Sequence, residues 1–121
     1  MGDVLALRPF VPARDFEVSK RFYQGLGFVL TGQDTTVAFL KLEGFSFILQ
    51  NDYVKELAEN FMVQLLVRDA DAWWARVDAD SLIATFGVKP PRAPAMQSWG
   101  MKVGFLVDPS GVLWHVAEVP F

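Results

Sequence analysis

Short apolar runs separated by polar turns fill the chain, and their order predicts its elements. Residues 4–11 (VLALRPFV) alternate in part and predict a strand. Pro9 within that run points to a sheet edge, because proline has no N–H to give to a ladder. Asp15 stands where a helix N-cap belongs, its carboxylate able to accept a backbone N–H from the first turn. Val18, Phe22 and Leu26 lie four apart and give a helix over 16–24 its apolar stripe, which Gly25 and Gly27 end. Strand-like runs follow at 28–32, 36–42 and 45–50, with turn signals at Gln33-Asp34 and Glu43-Gly44. Residues 51–60 are polar and read as a connector with room for one helical turn.

The order then comes round again. Residues 61–67 predict a strand, Asp69 a second N-cap, and 70–78 a helix with Ala70, Trp73, Trp74 and Val77 on one face. A strand is predicted at 82–88, a Pro/Ala-rich loop at 89–98, and strands at 100–107 and 112–119. The last two flank Asp108-Pro109-Ser110-Gly111, where proline presets φ and glycine closes the turn. Arg14-Asp15 recurs 54 residues later as Arg68-Asp69. The pattern is therefore α+β: two βαβββ modules, about 4–50 and 61–119, in a single domain spanning 1–121.

Composition narrows the function classes. A chain of 121 residues buries roughly two-thirds of the surface its unfolded form exposes, so neither a disulfide nor a metal is needed to hold it together. There is no cysteine, which excludes a zinc ribbon and cysteine catalysis and suits the reducing cytoplasm. The first eight residues lack a basic start followed by a long apolar run, so no signal peptide is expected. No apolar stretch approaches the ~18 to 20 residues of a membrane span. The net charge is −3, without a Lys/Arg run. That argues against a nucleic-acid partner and mildly favours a cationic small molecule, though it is also an ordinary value for a soluble protein.

Several stretches carry a family likeness. Pro12-Ala13-Arg14-Asp15, Ser19-Lys20-Arg21-Phe22-Tyr23 and Leu26-Gly27-Phe28 resemble the first module of the glyoxalase, bleomycin-resistance and extradiol dioxygenase (vicinal oxygen chelate) superfamily. Trp99-Gly100-Met101 and Phe105 through His115, with its Asp-Pro-Ser-Gly turn, resemble its last two strands. The resemblance implies an open, cup-shaped mixed sheet made by the two modules. In metal-dependent members it also implies one ligand, usually His or Glu, from each of the first, fourth, fifth and eighth strands. Here those positions hold Arg8, then Ile48 or Gln50, then Met62, then His115. Arginine is a permanent cation, and a thioether suits copper(I) better than the usual divalent ions. One imidazole does not make a tight site, so no metal and no other cofactor is expected.

The pattern is closest to the metal-free bleomycin-resistance branch, whose members sequester a bulky, cationic, aromatic-tailed antibiotic, usually as dimers. It implies a cup that binds a drug-like or aromatic small molecule, with Arg8, Gln50, Met62, Gln64, Trp99, Met101 and His115 as candidate ligand contacts. Each has a plainer reading beside it. His115 either points into the cup or is a satisfied strand histidine. Arg8 either binds an anionic ligand, or pairs with an acidic side chain and closes the old metal position, or is simply solvated. Trp99 either stacks on a ligand or serves as a lid or subunit contact. Gln64 shares strand parity with Met62, and both it and Gln50 either orient a ligand or face water. Asp15 and Asp69 read as helix caps rather than a catalytic pair, and no catalytic residue is assigned. The competing reading is a metal-dependent glyoxalase- or dioxygenase-like enzyme, which ligand count separates from a binder. A metal-free enzyme and an interaction module with a vestigial cup complete the set. A homodimer is expected, because open cups leave sheet edges and apolar surface to cover.

Overall fold

The structure, a computed structural model, describes residues 2–120. Twelve elements follow in order: β1 (Phe10–Pro12), α1 (Phe16–Gly25), β2 (Val29–Gln33), β3 (Val37–Leu42), β4 (Phe45–Gln50), α2 (Lys55–Ala58), β5 (Met62–Val67), α3 (Ala70–Trp74), α4 (Ala79–Phe86), β6 (Arg92–Met96), β7 (Lys102–Val107) and β8 (Leu113–Glu118). They form two four-stranded sheets of identical topology, ordered β1-β4-β3-β2 and β5-β8-β7-β6. In each sheet the first strand runs parallel to the last and the other pairs are antiparallel. The α+β fold of two repeated modules is thus present as the resemblance implied. Among the described residues no helix is long and apolar enough to cross a membrane.

Both predicted caps form. Asp15 accepts the N–H of Val18 at 3.2 Å, and Asp69 accepts that of Ala72 at 3.0 Å. Four readings of the chain need correction. The strand expected at 4–11 pairs only over Phe10–Pro12, although the Pro9 carbonyl still accepts the N–H of Ile48. The helix expected over 70–78 stops at Trp74, because Asp78 opens a second helix by capping Ser81. That second helix, α4, replaces the strand expected at 82–88. Leu82 and Phe86 lie one helical turn apart and both face the core, and Gly87 ends the helix at φ 64°. Finally, the Pro/Ala-rich segment read as a loop contains β6. Its position at the sheet edge lets Pro94 sit inside a strand, with an irregularity in pairing between Arg92 and Ala95.

One core joins the two sheets. Strand alternation sends Phe47 and Leu49 of β4, and Trp114 and Val116 of β8, to the same buried interior. Trp114 lies 5.4 Å from Phe47, 5.7 Å from Phe28 and 5.5 Å from Tyr23 between ring centroids. Tyr23, on α1, donates its hydroxyl hydrogen to Asp108 at 2.5 Å and accepts the Trp114 indole N–H at 2.9 Å. Asp108 also accepts the N–H groups of Ser110 and Val112, which folds the Asp-Pro-Ser-Gly turn back on itself. The Ser110 hydroxyl in turn takes the N–H of Arg14. A polar joint therefore crosses from the first helix to the last hairpin. Burial raises the Asp108 carboxyl above the usual aspartate range, against the pull of its donors. Burial first, and then the Asp108 charge, push the Tyr23 hydroxyl well above its own.

Candidate functional site

Phe47 and Trp114 face one another across the core, so the side chains alternating with them occupy the opposite, open faces of the two sheets. Register builds a row of side chains on each open face. On the first sheet the row is Phe10, Ile48 and Phe39, from β1, β4 and β3. On the second it is Gln64, His115, Phe105 and Arg92, from β5, β8, β7 and β6. Ile48 and His115 hold the same node in the two modules: each lies on the central strand shared by a parallel and an antiparallel partner.

An arginine rests on a phenylalanine in each row. Arg8, just before β1, donates its Nε–H to the Ser46 hydroxyl at 2.9 Å and lies 5.6 Å from the Phe39 ring centroid. Arg92 lies 5.5 Å from the Phe105 ring, and Phe105 meets the His115 ring edge-on at 4.9 Å and 77°. His115 is half-buried by this packing, while both arginines stay exposed.

The seven candidate contacts fall into three groups. Arg8 and Gln50 belong to the first face, and Gln50 also lines a cleft of about 390 Å³ with Phe10, Asp52, Val54, Leu57 and Phe61. Met62, Gln64 and His115 belong to the second face, where Gln64 and His115 are register partners. Trp99 and Met101 sit in the β6–β7 hairpin turn, the former exposed and the latter half-buried. The fold therefore brings Gln64 to His115 but holds Arg8 and Gln50 on a face that looks away from them across the core. Arg92, Phe105, Phe39 and Ser46 escaped the sequence reading. Parity with His115 and Ile48 was a usable signal for the two phenylalanines. Arg92 had none while β6 was taken for a loop.

At the four positions that the family resemblance links to metal, the side chains are Arg8, Ile48 or Gln50, Met62 and His115. Arg8 is engaged with Ser46 and Phe39, Met62 opens to solvent, and Ile48 has no donor atom. Among the described residues no group of three or more His, Asp or Glu side chains is placed to hold an ion.

Comparison with known proteins gives the family and the fold. The family model of the Glyoxalase/Bleomycin resistance protein/Dioxygenase superfamily matches residues 7–116. A bleomycin resistance protein of Klebsiella pneumoniae is 28% identical over 116 residues, covering 91% of this chain and 89% of that protein. Among solved structures, a bleomycin-binding protein complexed with bleomycin superposes with a TM-score of 0.79 at 25% identity, covering 96% of this chain and 99% of the other. A bleomycin-binding protein from bleomycin-producing Streptomyces verticillus, complexed with copper(II)-bleomycin, gives 0.78 at 20% identity, covering 98% and 99%. The second of these likenesses speaks for the fold alone.

Proposed function

The chain belongs to the glyoxalase/bleomycin resistance protein/dioxygenase superfamily, and from that footing we propose that it is a metal-free binding protein that captures a drug-like or aromatic small molecule rather than turning one over. The observation that carries the reading is the pair of open-face rows. The first offers aromatic and aliphatic surface and the second aromatic surface, each with a few polar groups beside it, which is the usual make-up of a small-molecule site. Binding of bleomycin by relatives of the same fold supports a sequestering role. The donor set at the former metal positions supports capture without a metal. The reading includes a cytoplasmic setting, which a cysteine-free chain suits.

A homodimer is part of the same proposal. Val4, Leu5 and Leu7 are 83%, 97% and 95% exposed on the segment before β1. A single copy has no use for so much apolar surface, and a second copy seated on the arm and the open faces would cover it. Light scattering at micromolar concentration should give twice the chain mass, and a monomer mass would count against this.

Calorimetric titration tests the binding reading directly. Chelator-treated protein should bind metal-free bleomycin, or a neutral aromatic such as naphthamide, saturably and without turnover, with metal content well below one per chain. Stoichiometric metal that His115→Ala removes would return the chain to the enzymes. Binding of neither bleomycin nor an aromatic probe would end the capture reading.

A further inference from the structure

The sign of the charge on the ligand can be read from where the ionisable residues lie. The chain is acidic as a whole, with 14 Asp and Glu against 11 Lys and Arg, yet its sheets are not. Among the eight strands the one acidic residue is Glu118, and its carboxylate turns to the helix side to accept the Ala70 N–H at 3.0 Å. The other acids cap helices at Asp15, Asp69 and Asp78, lie in helix first turns (Glu17, Glu56, Asp71, Asp80), in the segments between elements or before β1, or are buried like Asp108. On the open faces the ionisable side chains are Arg8, Lys41, Arg92 and His115. Among the described residues neither arginine pairs with a carboxylate, since the ion pairs use Lys20 and Lys102. Asp34, Glu43 and Asp108 directly follow β2, β3 and β7 in turns, and Asp52 lies two residues beyond β4 in the cleft beside Gln50.

Resting on the reading that these faces capture small molecules, we propose that the ligand is an anionic aromatic compound, an aryl carboxylate, sulfonate or phosphate, and not a cation. A guanidinium lying over a phenyl ring keeps the in-plane N–H groups at its edge free for a two-point contact with an oxyanion. Arg8 spends its Nε–H on Ser46, which fixes the group and leaves its terminal N–H groups for a ligand. The aryl body of a ligand has Phe10 and Ile48 to lie on at the first face, and Phe105 and His115 at the second. A cationic ligand meets the opposite situation. The Phe39 and Phe105 faces that would attract it already carry a guanidinium 5.6 and 5.5 Å from the ring centroid, and like charges there repel.

The test uses three probes with one ring system and different charge: naphthoate, naphthamide and naphthylmethylammonium, titrated into the full chain at low and high salt beside bleomycin. Naphthoate should bind at least about tenfold more tightly than the ammonium compound, the size of one charge-assisted contact. The gap should narrow at ~0.5 M salt. It should vanish in the Arg8→Gln, Arg92→Gln double variant and survive in the Arg8→Lys, Arg92→Lys one. Equal or tighter binding of the ammonium compound overturns the proposal, as does a preference that the glutamine variant keeps. Binding of bleomycin with none of the three probes overturns the anion assignment and leaves the capture reading standing. Failure of all four ligands removes both.

Discussion

The two modules share one topology but differ in how they close against their helices. Where module one has Lys20 on α1, module two has Trp74 on α3 at the same 54-residue offset that relates Asp15 to Asp69. Lys20 reaches Gln33, whose register partner on β3 is Ala38. Trp74 lies instead against Gly104 of β7, which Pro94 of β6 also approaches. Ala38 and Gly104 each precede the phenylalanine of their open-face row, so they are equivalent positions. A β-carbon at Gly104 would stand 2.6 Å from the Trp74 indole, whereas the equivalent Ala38 carries one fully buried in the core. Fixed topology thus leaves the helix-facing residues free to exchange bulk, provided the facing strand residue exchanges it the other way. The open-face nodes have diverged in chemistry instead, from Ile48 to His115.

The sharpest way to break this picture is to remove the side chain that makes two modules one body. Trp114→Ala should cost about 3–5 kcal/mol in urea unfolding, because the indole fills the space between the two sheets and holds Tyr23. His115→Ala, one residue along on the open face, should cost under ~1 kcal/mol. Similar costs for the two would mean that the sheets do not share a core. Next in size is the polar joint. Asp108→Ala strands the Tyr23 hydroxyl and two turn N–H groups in the interior and should cost about 2–4 kcal/mol.

The same joint has a pH signature. A buried carboxyl with a raised pKa keeps its proton in the fold at pH values where the unfolded chain has lost it. The folded state then binds more protons, so stability is highest below about pH 4, the usual aspartate range, and falls as pH rises through the raised folded value. Tyr23 adds a loss of the same sign above about pH 10. Asp108→Asn should remove the acid-side slope, so the gap between variant and parent narrows as pH increases. A parallel offset at all pH values would show that Asp108 ionises in the fold as readily as outside it.

The exchange of bulk between helix and strand predicts the next effect. A β-carbon on Gly104 would stand 2.6 Å from Trp74 Cζ3 and 3.1 Å from Pro94 Cγ. Gly104→Ala should therefore cost about 1–3 kcal/mol. Trp74→Leu in the same chain should recover part of that cost, a coupling read from a double-mutant cycle. Ala38→Gly in module one should show no such coupling with Lys20.

What was legible in the sequence was local chemistry. The Asp15 and Asp69 caps, the Asp-Pro-Ser-Gly turn and the strands at 36–42 and 45–50 depend on neighbours a few residues away, and all are present. The elements that went astray depend on distant partners or on an ambiguous period. Leu82 to Val88 is apolar enough for a strand, but its helix is set by the Asp78 cap and by Gly87. β6 exists because β7 pairs with it, which nothing in Arg-Ala-Pro-Ala-Met announces. Losing β6 also hid Arg92. Residues 4–8 have the pattern of a strand, yet among the described residues no strand pairs with them. Gln64 follows from strand parity with Met62 and His115 from the family resemblance, and the two are register partners. That Arg8 and Gln50 face away from them follows from which sheet faces pack together, a fact no local pattern carries.

The smallest predicted effect compares the two caps. Asp15 and Asp69 accept the same N–H, three residues on, at 3.2 and 3.0 Å, and loss of either costs about 1 kcal/mol on local grounds. Their surroundings differ. At the start of α3 the Glu118 carboxylate independently accepts the Ala70 N–H, whereas the N–H of Arg14, ahead of α1, goes to Ser110 rather than to a charged group. When Asp69 is removed, α3 keeps Glu118 on its Ala70 donor as well as the first-turn Asp71, whereas α1 without Asp15 keeps only the first-turn Glu17. Asp15→Ala should accordingly destabilise more than Asp69→Ala, by a few tenths of a kcal/mol. Removing Glu118 as well should bring the cost at α3 to at least that at α1. If Asp69→Ala proves the more costly, the short helix leans on its cap more than on β8, and module two is held together more locally than its register with the rest of the core implies.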